Sequence, residues 1–310
     1  MKYAIYKLDF LTGVHIGAGR LSKSGMAFSA DTIFSALCQE ALKSIGEIGI
    51  ERLVDYVKKG KLLLSDSMPY IGGEYYLPKP VMSNISGDKK DSSVKKQIKK
   101  LTYVSEKHYQ DFLSGELDIK SEWERLSMLG KKEIRTRINN RDDSGPYQIG
   151  VFHYENNLTG LYIIVAYADD EILDMVEDLL YSLGYEGIGG KVSTGLGKFE
   201  PIYADVPETL QERLEKFSAY PYKVVLSVSL PRENELEQAL TDADYSIVVR
   251  SGFVASQMYA EKFQKKKELY CLKAGSCVRN IYEGDVYDVS AGGRHAVYRY
   301  AKPMFMGVER

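Results

Sequence analysis

Residues 161–200 read LYIIVAYADDEILDMVEDLLYSLGYEGIGGKVSTGLGKFE, and they place an apolar run, an amphipathic segment, a glycine-rich loop and an extended segment in succession. The apolar run 161–168 is far too short to span a bilayer and predicts a strand. Acidic residues at 169–170 and apolar residues recurring from Ile172 to Leu183 predict a helix that ends at Gly184. The stretch therefore predicts strand, helix, glycine loop and strand.

The segments before this stretch complete an α+β pattern. Residues 2–11 alternate as a half-buried strand does, and apolar residues then recur at helical spacing over 33–42 and 50–57, with Ser29 or Asp31 as the first N-cap. Further strands are predicted at 61–65 and 133–139, and 146–155 and 160–168 are predicted to pair as a hairpin turning at 156–160. This order is typical of a ferredoxin-like or RRM-like domain.

Length and pattern also predict the domain organisation. A chain of 310 residues can form two domains, each with its own core. The pattern loosens from 66 to about 132, which indicates an insertion. We expect a first domain over 1–205, a linker over 206–222 and a second, strand-rich domain over 223–310.

Composition limits the function and the compartment. The net charge of −2 does not advertise a nucleic-acid binder, so RNA binding would depend on local basic islands at 89–100 and 131–141. The first island can equally be a solvated face. Three cysteines without a Cys-x-x-Cys motif, and an N-terminus without a signal peptide, favour a soluble protein of the reducing cytoplasm.

The glycine loop, Gly187 to Gly197, holds five glycines, a lysine and two hydroxyl residues. Its spacing fits neither a P-loop, where Leu196 replaces the required lysine, nor a Gly-x-Gly-x-x-Gly dinucleotide motif. Main-chain amides of such a loop can approach an anion closely, so it is a candidate cradle for a sugar-phosphate chain. An ordinary flexible loop between a helix and a strand has the same composition.

His15 is the candidate for catalysis. A histidine at the end of a strand beside two glycines can act as a general acid or base, and it can equally pack, cap or contact a ligand without chemistry. The sequence offers no second histidine in a motif-like relation to it and no His-Asp pair for a metal. We therefore expect no catalytic residue, no cofactor and no metal.

Four segments together resemble the RAMP superfamily: His15-Ile-Gly-Ala-Gly19, Phe28 to Cys38, Gly187 to Lys198, and Tyr300-Ala-Lys-Pro-Met-Phe305. Within that superfamily they resemble subunit four of the type III-A CRISPR effector, the Csm complex. The resemblance implies two RRM-like domains and a subunit that holds the 5′ repeat-derived handle of CRISPR RNA. It also implies two protein partners, the large polymerase-like subunit and the backbone RAMP subunit.

The resemblance further implies that the glycine loop lies against the RNA backbone and that a thumb between Tyr70 and Gln148 kinks the RNA. Tyr75, Tyr76 and Tyr147 are candidates for base stacking, and Arg294 and Arg299 are weaker candidates for phosphate contacts. The expected RNA-binding residues are His15, Gly17, Gly19, Arg20, Arg135, Arg137, Arg141, Gly187, Gly189, Gly190, Lys191, Ser193, Thr194, Gly195, Gly197 and Lys198.

Three hypotheses follow for the function. The first is a non-catalytic RNA-binding and scaffolding subunit. The alternatives are a metal-independent CRISPR RNA endoribonuclease that uses His15, and an adaptor that binds proteins without binding RNA.

Overall fold

Antiparallel strands and packed helices alternate in the computed structural model, which describes residues 1–82, 92–138, 145–254, 259–260 and 264–309. The strands of the first two thirds are β1 (Lys2–Phe10), β2 (Leu62–Leu64), β3 (Met68–Ile71), β4 (Glu74–Pro78), β5 (Tyr103–Ser105), β6 (Gly130–Ile138), β7 (Pro146–Tyr154), β8 (Thr159–Tyr167) and β9 (Phe199–Ala204). The helices of the same part are α1 (Ala30–Ser44), α2 (Glu47–Lys58), α3 (Ser92–Lys100), α4 (Tyr109–Ser114), α5 (Ile119–Ser127) and α6 (Asp170–Glu186).

The main sheet is centred on β8 and β1. Its order is β5-β4-β3-β8-β1-β9, with β2 also paired to β8, and every strand pair is antiparallel. All nine residues of β8 are buried, which explains why its sequence is continuously apolar rather than alternating. The mixed α and β content predicted from the sequence is confirmed.

Helices α1, α2 and α6 share a core with one face of this sheet through Phe34, Leu37, Leu53 and Leu179. Asp169 caps α6 by accepting a hydrogen bond from the amide of Ile172, as the acidic start predicts. Gly184 does not end the helix as predicted, because α6 continues to Glu186. A side chain at Gly184 would overlap the carbonyl oxygen of Phe199, so this glycine lets α6 lie close to β9.

The predicted hairpin of 146–155 with 160–168 is wrong. β7 pairs with β6 along their whole length, from Gly130↔Tyr154 to Ile138↔Pro146, whereas β8 lies in the main sheet. The reason is burial: β8 is apolar on both faces and needs cover on both, whereas β6 is largely exposed. The β6–β7 hairpin therefore stands apart from the main sheet.

The segment 66–132 contributes β3, β4 and β5 to the edge of the main sheet and carries the helices α3, α4 and α5. Buried Glu122 of α5 accepts a hydrogen bond from the amide of Ser105 and so ties α5 to β5. Lys99 and Lys100 of the first basic island are exposed at the end of α3, and Lys89 and Lys90 lie outside the described residues.

The last third is strand-rich, as predicted. Its elements are α7 (Glu208–Glu215), β10 (Tyr222–Val225), α8 (Leu236–Leu240), β11 (Ile247–Arg250), β12 (Leu269–Leu272), β13 (Cys277–Val278), β14 (Asp285–Asp288), β15 (Tyr298–Ala301) and β16 (Phe305–Val308). β10 lies between β13 and β16, and β11–β12 and β14–β15 form separate pairs. None of the helices in the described ranges is long and apolar enough to cross a bilayer.

The last third shares its core with the main sheet. Val224, Leu226 and Met306 belong to the same apolar cluster as Ile5 and Tyr162. On the other face, the ring of Tyr300 packs at a tilt against Phe34 of α1 with ring centroids 5.7 Å apart, and its hydroxyl donates to the carbonyl oxygen of Leu64. This packing fixes β11 and β15 against the start of α1, where the candidate site lies.

Candidate nucleic-acid interface

A cleft of about 1020 Å³ lies where the loop after β1, the start of α1, the glycine loop after α6 and the segment after β11 meet. Of the predicted site residues it brings together His15, Gly17, Gly19, Gly187, Gly189 and Gly190. Ser29, Thr32, Val249, Gly252 and Phe253 also line the cleft. The central glycine loop therefore has two sides, one facing this cleft and one facing the β6–β7 hairpin.

The loop after β1, residues 11–29, forms one wall of the cleft. The hydroxyl of Ser24 accepts a hydrogen bond from the amide of Ile16 at 3.0 Å and holds the loop folded. Gly17 and Gly19 are exposed, and an added Cβ at either position would meet no atom within 4 Å. Gly19 has φ +82°, whereas Gly17 does not have a positive φ. The fold itself therefore leaves room for a side chain at Gly17.

His15 is buried at the junction of the two loops, with 6% of its surface exposed. Its Nδ1 lies 2.7 Å from the carbonyl oxygen of Gly150 in β7. Because a carbonyl oxygen can only accept, Nδ1 carries the proton and donates this hydrogen bond. Its own carbonyl oxygen accepts a hydrogen bond from the amide of Gly190 at 2.9 Å. His15 thus links the loop after β1, the hairpin and the central glycine loop.

Most main-chain amides of the central glycine loop already have partners inside the protein. Ile188 donates to the carbonyl oxygen of Gly197, Gly197 donates to that of Gly13, and Lys198 donates to the hydroxyl of Thr12. Within the described chain, five amides of this loop have no such partner, those of Gly189, Lys191, Val192, Ser193 and Leu196. The loop therefore offers an anion fewer amides than its glycine content predicts.

Four glycines of the loop are required by its own packing. A Cβ at Gly187 would lie 2.7 Å from the carbonyl oxygen of Leu196, and one at Gly189 would lie 2.6 Å from that of His15. A Cβ at Gly190 would lie 2.5 Å from Cδ2 of His15, and one at Gly197 would overlap the carbonyl oxygen of Ile188. Three of these glycines, Gly187, Gly189 and Gly197, also have positive φ.

The other side of the loop faces the hairpin. Leu196 packs against Ile149 and Val151 of β7, and Nζ of Lys191 lies 5.1 Å from the ring centroid of Tyr147. Lys191 adopts a left-handed φ of +64°. Ser193, Thr194 and Lys198 are exposed, and the Thr194 hydroxyl donates to the carbonyl oxygen of Lys191. These residues do not line the cleft.

The predicted arginines differ in how they are paired. Arg135 donates to Glu133 at 2.9 Å, and Nε2 of His153 contacts the same carboxylate at 2.7 Å. These two hydrogen bonds hold the pKa of exposed Glu133 below its usual value. Arg137 lies opposite Tyr147 in the hairpin and forms no ion pair with a described residue. Arg20 is exposed beside the cleft, and Arg141 lies outside the described residues.

The floor of the cleft contains a buried ion network that sequence reasoning missed. The carboxylate of Asp31 contacts Arg299 at 2.6 Å and Arg250 at 2.7 Å. Burial works against ionisation of Asp31, but Arg250, Ser29 and Arg299 outweigh it and hold its pKa below the usual value. Asp31 was predicted as a possible N-cap; instead Ser29 occupies that position and Asp31 joins the two halves of the chain. Arg299 therefore already forms an ion pair with a carboxylate of the protein.

Beside this network, Asp66 is half-buried. Its Oδ1 accepts hydrogen bonds from the amides of Ala30 and Val228, both at 2.8 Å. Burial raises the pKa of Asp66 to about 7, against the opposing effect of these amides.

The tyrosine candidates separate by burial. Tyr76 has no exposed surface, so the prediction that it stacks on RNA bases is wrong. Tyr75 is half-buried edge-to-face against Tyr162, and Tyr147 is half-buried beneath Lys191. Within the described ranges, no group of three or more His, Cys, Asp or Glu side chains could hold a metal ion.

Two family models match the chain. The RAMP superfamily model matches residues 7–200, and the model of the CRISPR Csm4 C-terminal domain matches residues 218–308. A CRISPR system protein Csm4 from Mycobacterium tuberculosis is 34% identical over 99% of this chain and 98% of its own length. A Csm4 from Streptococcus thermophilus is 33% identical over 100% of both chains.

Solved structures that contain a Csm4 chain have this fold. A chain from the Csm3-Csm4 subcomplex of the type III-A CRISPR-Cas interference complex superposes with a TM-score of 0.71, 23% identity and 100% coverage of both chains. A chain from a Csm1-Csm4 cassette in complex with pppApA superposes with a TM-score of 0.61 and 20% identity, over 99% of this chain and 98% of that one.

Proposed function

The chain belongs to the RAMP superfamily and, within it, to the Csm4 family of type III CRISPR complexes, and from this we propose that it is a non-catalytic RNA-binding subunit. It holds the 5′ repeat-derived handle of CRISPR RNA. It also joins the large polymerase-like subunit to the backbone RAMP subunits. The observation that carries the RNA-binding part is the cleft, where exposed Gly17 and Gly19 face a floor that contains Arg250 and Arg299.

The proposed RNA path runs along the cleft side of the central glycine loop and then past the β6–β7 hairpin. A wall without side chains at Gly17 and Gly19 lets a sugar-phosphate backbone approach closely. The hairpin is joined to the glycine loop by Leu196 and by Lys191 over Tyr147, so it is held at the edge of that path. We assign the thumb to this hairpin.

The proposal includes two ferredoxin-like domains, 1–205 and 223–310. The strand order β9-β1-β8-β3, with α1 following β1 and α6 following β8, supports the assignment for the first domain, because a ferredoxin-like sheet has the order 4-1-3-2. For the second, the support is the antiparallel group β13-β10-β16. The three free cysteines suit a cytoplasmic location.

The proposed protein partners follow from the related chains. Relatives of this fold were solved with Csm3 in one case and with Csm1 in another. We infer that this chain contacts the corresponding backbone RAMP subunit and large subunit, and that the handle RNA is held between them.

We propose that His15 positions the loops and does not cleave RNA. A general base must reach the proton that it removes. The ring of His15 is buried, its Nδ1 is committed to the Gly150 carbonyl, and its Cδ2 edge packs on Gly190. This arrangement favours the scaffolding role over the endoribonuclease alternative.

The test is to incubate the purified full chain with repeat-derived RNA in EDTA and to measure both affinity and RNA length. We expect binding that weakens as salt rises from about 50 to about 200 mM, because phosphate contacts release counterions. The RNA should stay at full length. Specific cuts that disappear in His15→Ala would establish the nuclease instead, and no binding at low salt would leave the protein adaptor.

A further inference from the structure

Among the described residues that line the cleft, Lys266 is a cation without an ion pair. Lys266 is half-buried and lines the cleft beside the segment that follows β11. Its main-chain amide donates to the carbonyl oxygen of Gly252 at 2.8 Å, which fixes its backbone against the cleft. Within the described chain, its ammonium group makes no hydrogen bond or ion pair. A half-buried lysine whose ammonium group has no partner is unusual, because desolvation of the charge is costly.

The groups around Lys266 leave an excess of positive charge. Arg250 and Arg299 share the carboxylate of Asp31, so the floor of the cleft holds these two arginines and Lys266 around one directly paired carboxylate. The side chain of Arg299 is 94% buried. Its buried Nε has no hydrogen-bond acceptor in the described part of the chain. Burial lowers the pKa of Lys266, and nearby Arg299 and Arg250 lower it further, against the opposing effect of Asp31.

The remaining carboxylates of the cleft lie on another side and have their own partners. Glu40 accepts hydrogen bonds from Lys43 and from the hydroxyl of Ser182, both at 2.8 Å, and Lys43 also contacts Glu186 at 3.4 Å. Among the described carboxylates, Asp31 pairs directly with Arg250 and Arg299, and Asp66 lies close enough to Arg250 to attract it. Neither carboxylate contacts the ammonium group of Lys266.

The start of α1 adds to the positive electrostatic field of the cleft. This helix has 15 residues, and its first turn, with the hydroxyls of Ser29 and Thr32, lines the cleft. Helix N-termini carry a partial positive charge. Opposite them, Gly17 and Gly19 present backbone without side chains. The space suits an anion that is attached to an extended chain.

We propose that a phosphodiester group of the bound RNA occupies the cleft between Gly17, the start of α1 and Lys266, with Lys266 as its direct cation. Arg250 and Arg299 supply the surrounding field while they keep Asp31. The inference rests on the proposed RNA-binding function and assigns to it a specific anion site. A phosphodiester fits better than a protein carboxylate because the glycine wall admits a continuous sugar-phosphate backbone.

The first measurement compares Lys266→Met with Lys267→Met in the full chain, using repeat-derived handle RNA. Lys267 is the exposed neighbour, so its replacement removes the same charge away from the cleft. We expect Lys266→Met to weaken binding by roughly tenfold at low salt and to reduce the salt slope by about 1. Lys266→Arg should keep both the RNA affinity and the salt slope of the wild-type chain. Lys267→Met should behave as the wild-type chain, and thermal melts check that each variant is folded.

A second measurement uses inorganic phosphate without RNA, against chloride at equal ionic strength. Phosphate should raise the Tm of the wild-type chain and of Lys267→Met but not that of Lys266→Met. Stabilisation through Lys266 without any RNA binding would support the anion site and end the proposed function. Equal RNA affinities for both methionine variants would overturn the anion site and leave RNA binding intact. Loss of large-subunit binding by Lys266→Met, at unchanged RNA affinity, would also overturn it.

Discussion

The two glycine-rich loops that meet at His15 have glycines for different reasons. In the central loop, Gly187, Gly189, Gly190 and Gly197 would each bring a Cβ into the protein's own backbone or into His15. In the loop after β1, Gly17 and Gly19 face open space. The central loop needs four of its five glycines for its own packing, whereas Gly17 and Gly19 of the loop after β1 leave room that the fold does not use.

This difference teaches that glycine content alone does not locate a ligand. A glycine that the structure requires is explained without RNA. Gly17, with open space and no positive φ, is not explained by the fold, and because it also lines the cleft it is a candidate surface for a ligand. The cleft side of the central loop is the better candidate for the RNA path.

The largest effect should come from the cleft floor. Asp31→Asn leaves Arg250 and Arg299 without their buried carboxylate, and we expect a loss of roughly 3–5 kcal/mol in the free energy of unfolding at neutral pH. The exposed ion pair of Asp170 with Lys2 gives a matched control, since Asp170→Asn should cost less than about 1 kcal/mol. Denaturant unfolding measures both. If Asp31→Asn and Asp170→Asn lose similar amounts of unfolding free energy, the buried network does not hold the two halves of the chain together.

The same network predicts a pH dependence. Because the pKa of Asp31 is lowered in the folded chain, its stabilisation is present above the unfolded pKa of about 3.9 and is lost as the pH falls through the lower folded value. Thermal melts of the wild-type chain should therefore show a loss in acid that Asp31→Asn lacks. Parallel curves for the two chains would contradict this assignment.

The next effect distinguishes two glycines of the central loop that both have positive φ. Gly197→Ala adds overlap with the carbonyl oxygen of Ile188, and we expect it to cost about 3 kcal/mol. Gly195→Ala has a similar φ of +83° and no clash, so it should cost about 1–2 kcal/mol. Equal costs in denaturant unfolding would mean that the loop relaxes and that packing does not require Gly197.

The sequence predicted the local elements well where the pattern was strong. The strand predicted over 2–11 is β1, although Ile5 and Asp9 on its expected exposed face are buried, and α1, α2 and α6 follow the apolar spacing. Pairing was less accessible. β7 and β8 are neighbours in the chain with a turn between them, but the choice of partner depends on which strand is buried on both faces.

The candidate site was predicted in part. The residues around His15, Gly17 and Gly189 do come together at one cleft. Asp31 pairs with Arg250 and Arg299 across 219 and 268 positions of sequence, and no local pattern indicates such pairs. The role of Gly197 was equally hidden, because it depends on the approach of Ile188 within a folded loop.

A smaller effect tests the open glycine directly. Gly17→Val should leave stability within about 0.5 kcal/mol, since nothing lies within 4 Å of its Cβ, yet weaken handle RNA binding by about tenfold. Gly73→Val is the matched control, because Gly73 also has open space and no positive φ, and it lies in the turn between β3 and β4. Affinity is measured by fluorescence anisotropy. If both variants bind like the wild-type chain, RNA does not pass over the loop after β1.

The smallest effect concerns the hairpin side of the central loop, where two arginines share a strand. Arg135 is compensated by Glu133, whereas Arg137 has no described ion pair and lies opposite Tyr147. Arg137→Gln should therefore weaken RNA binding by about threefold and lower the salt slope by about 1, and Arg135→Gln should change both less. Binding titrations over a range of salt concentrations measure the slopes. If Arg135→Gln has the larger effect, RNA binding displaces Glu133 and the hairpin rearranges; if neither variant changes the slope, the hairpin deflects RNA by shape without contacting phosphate.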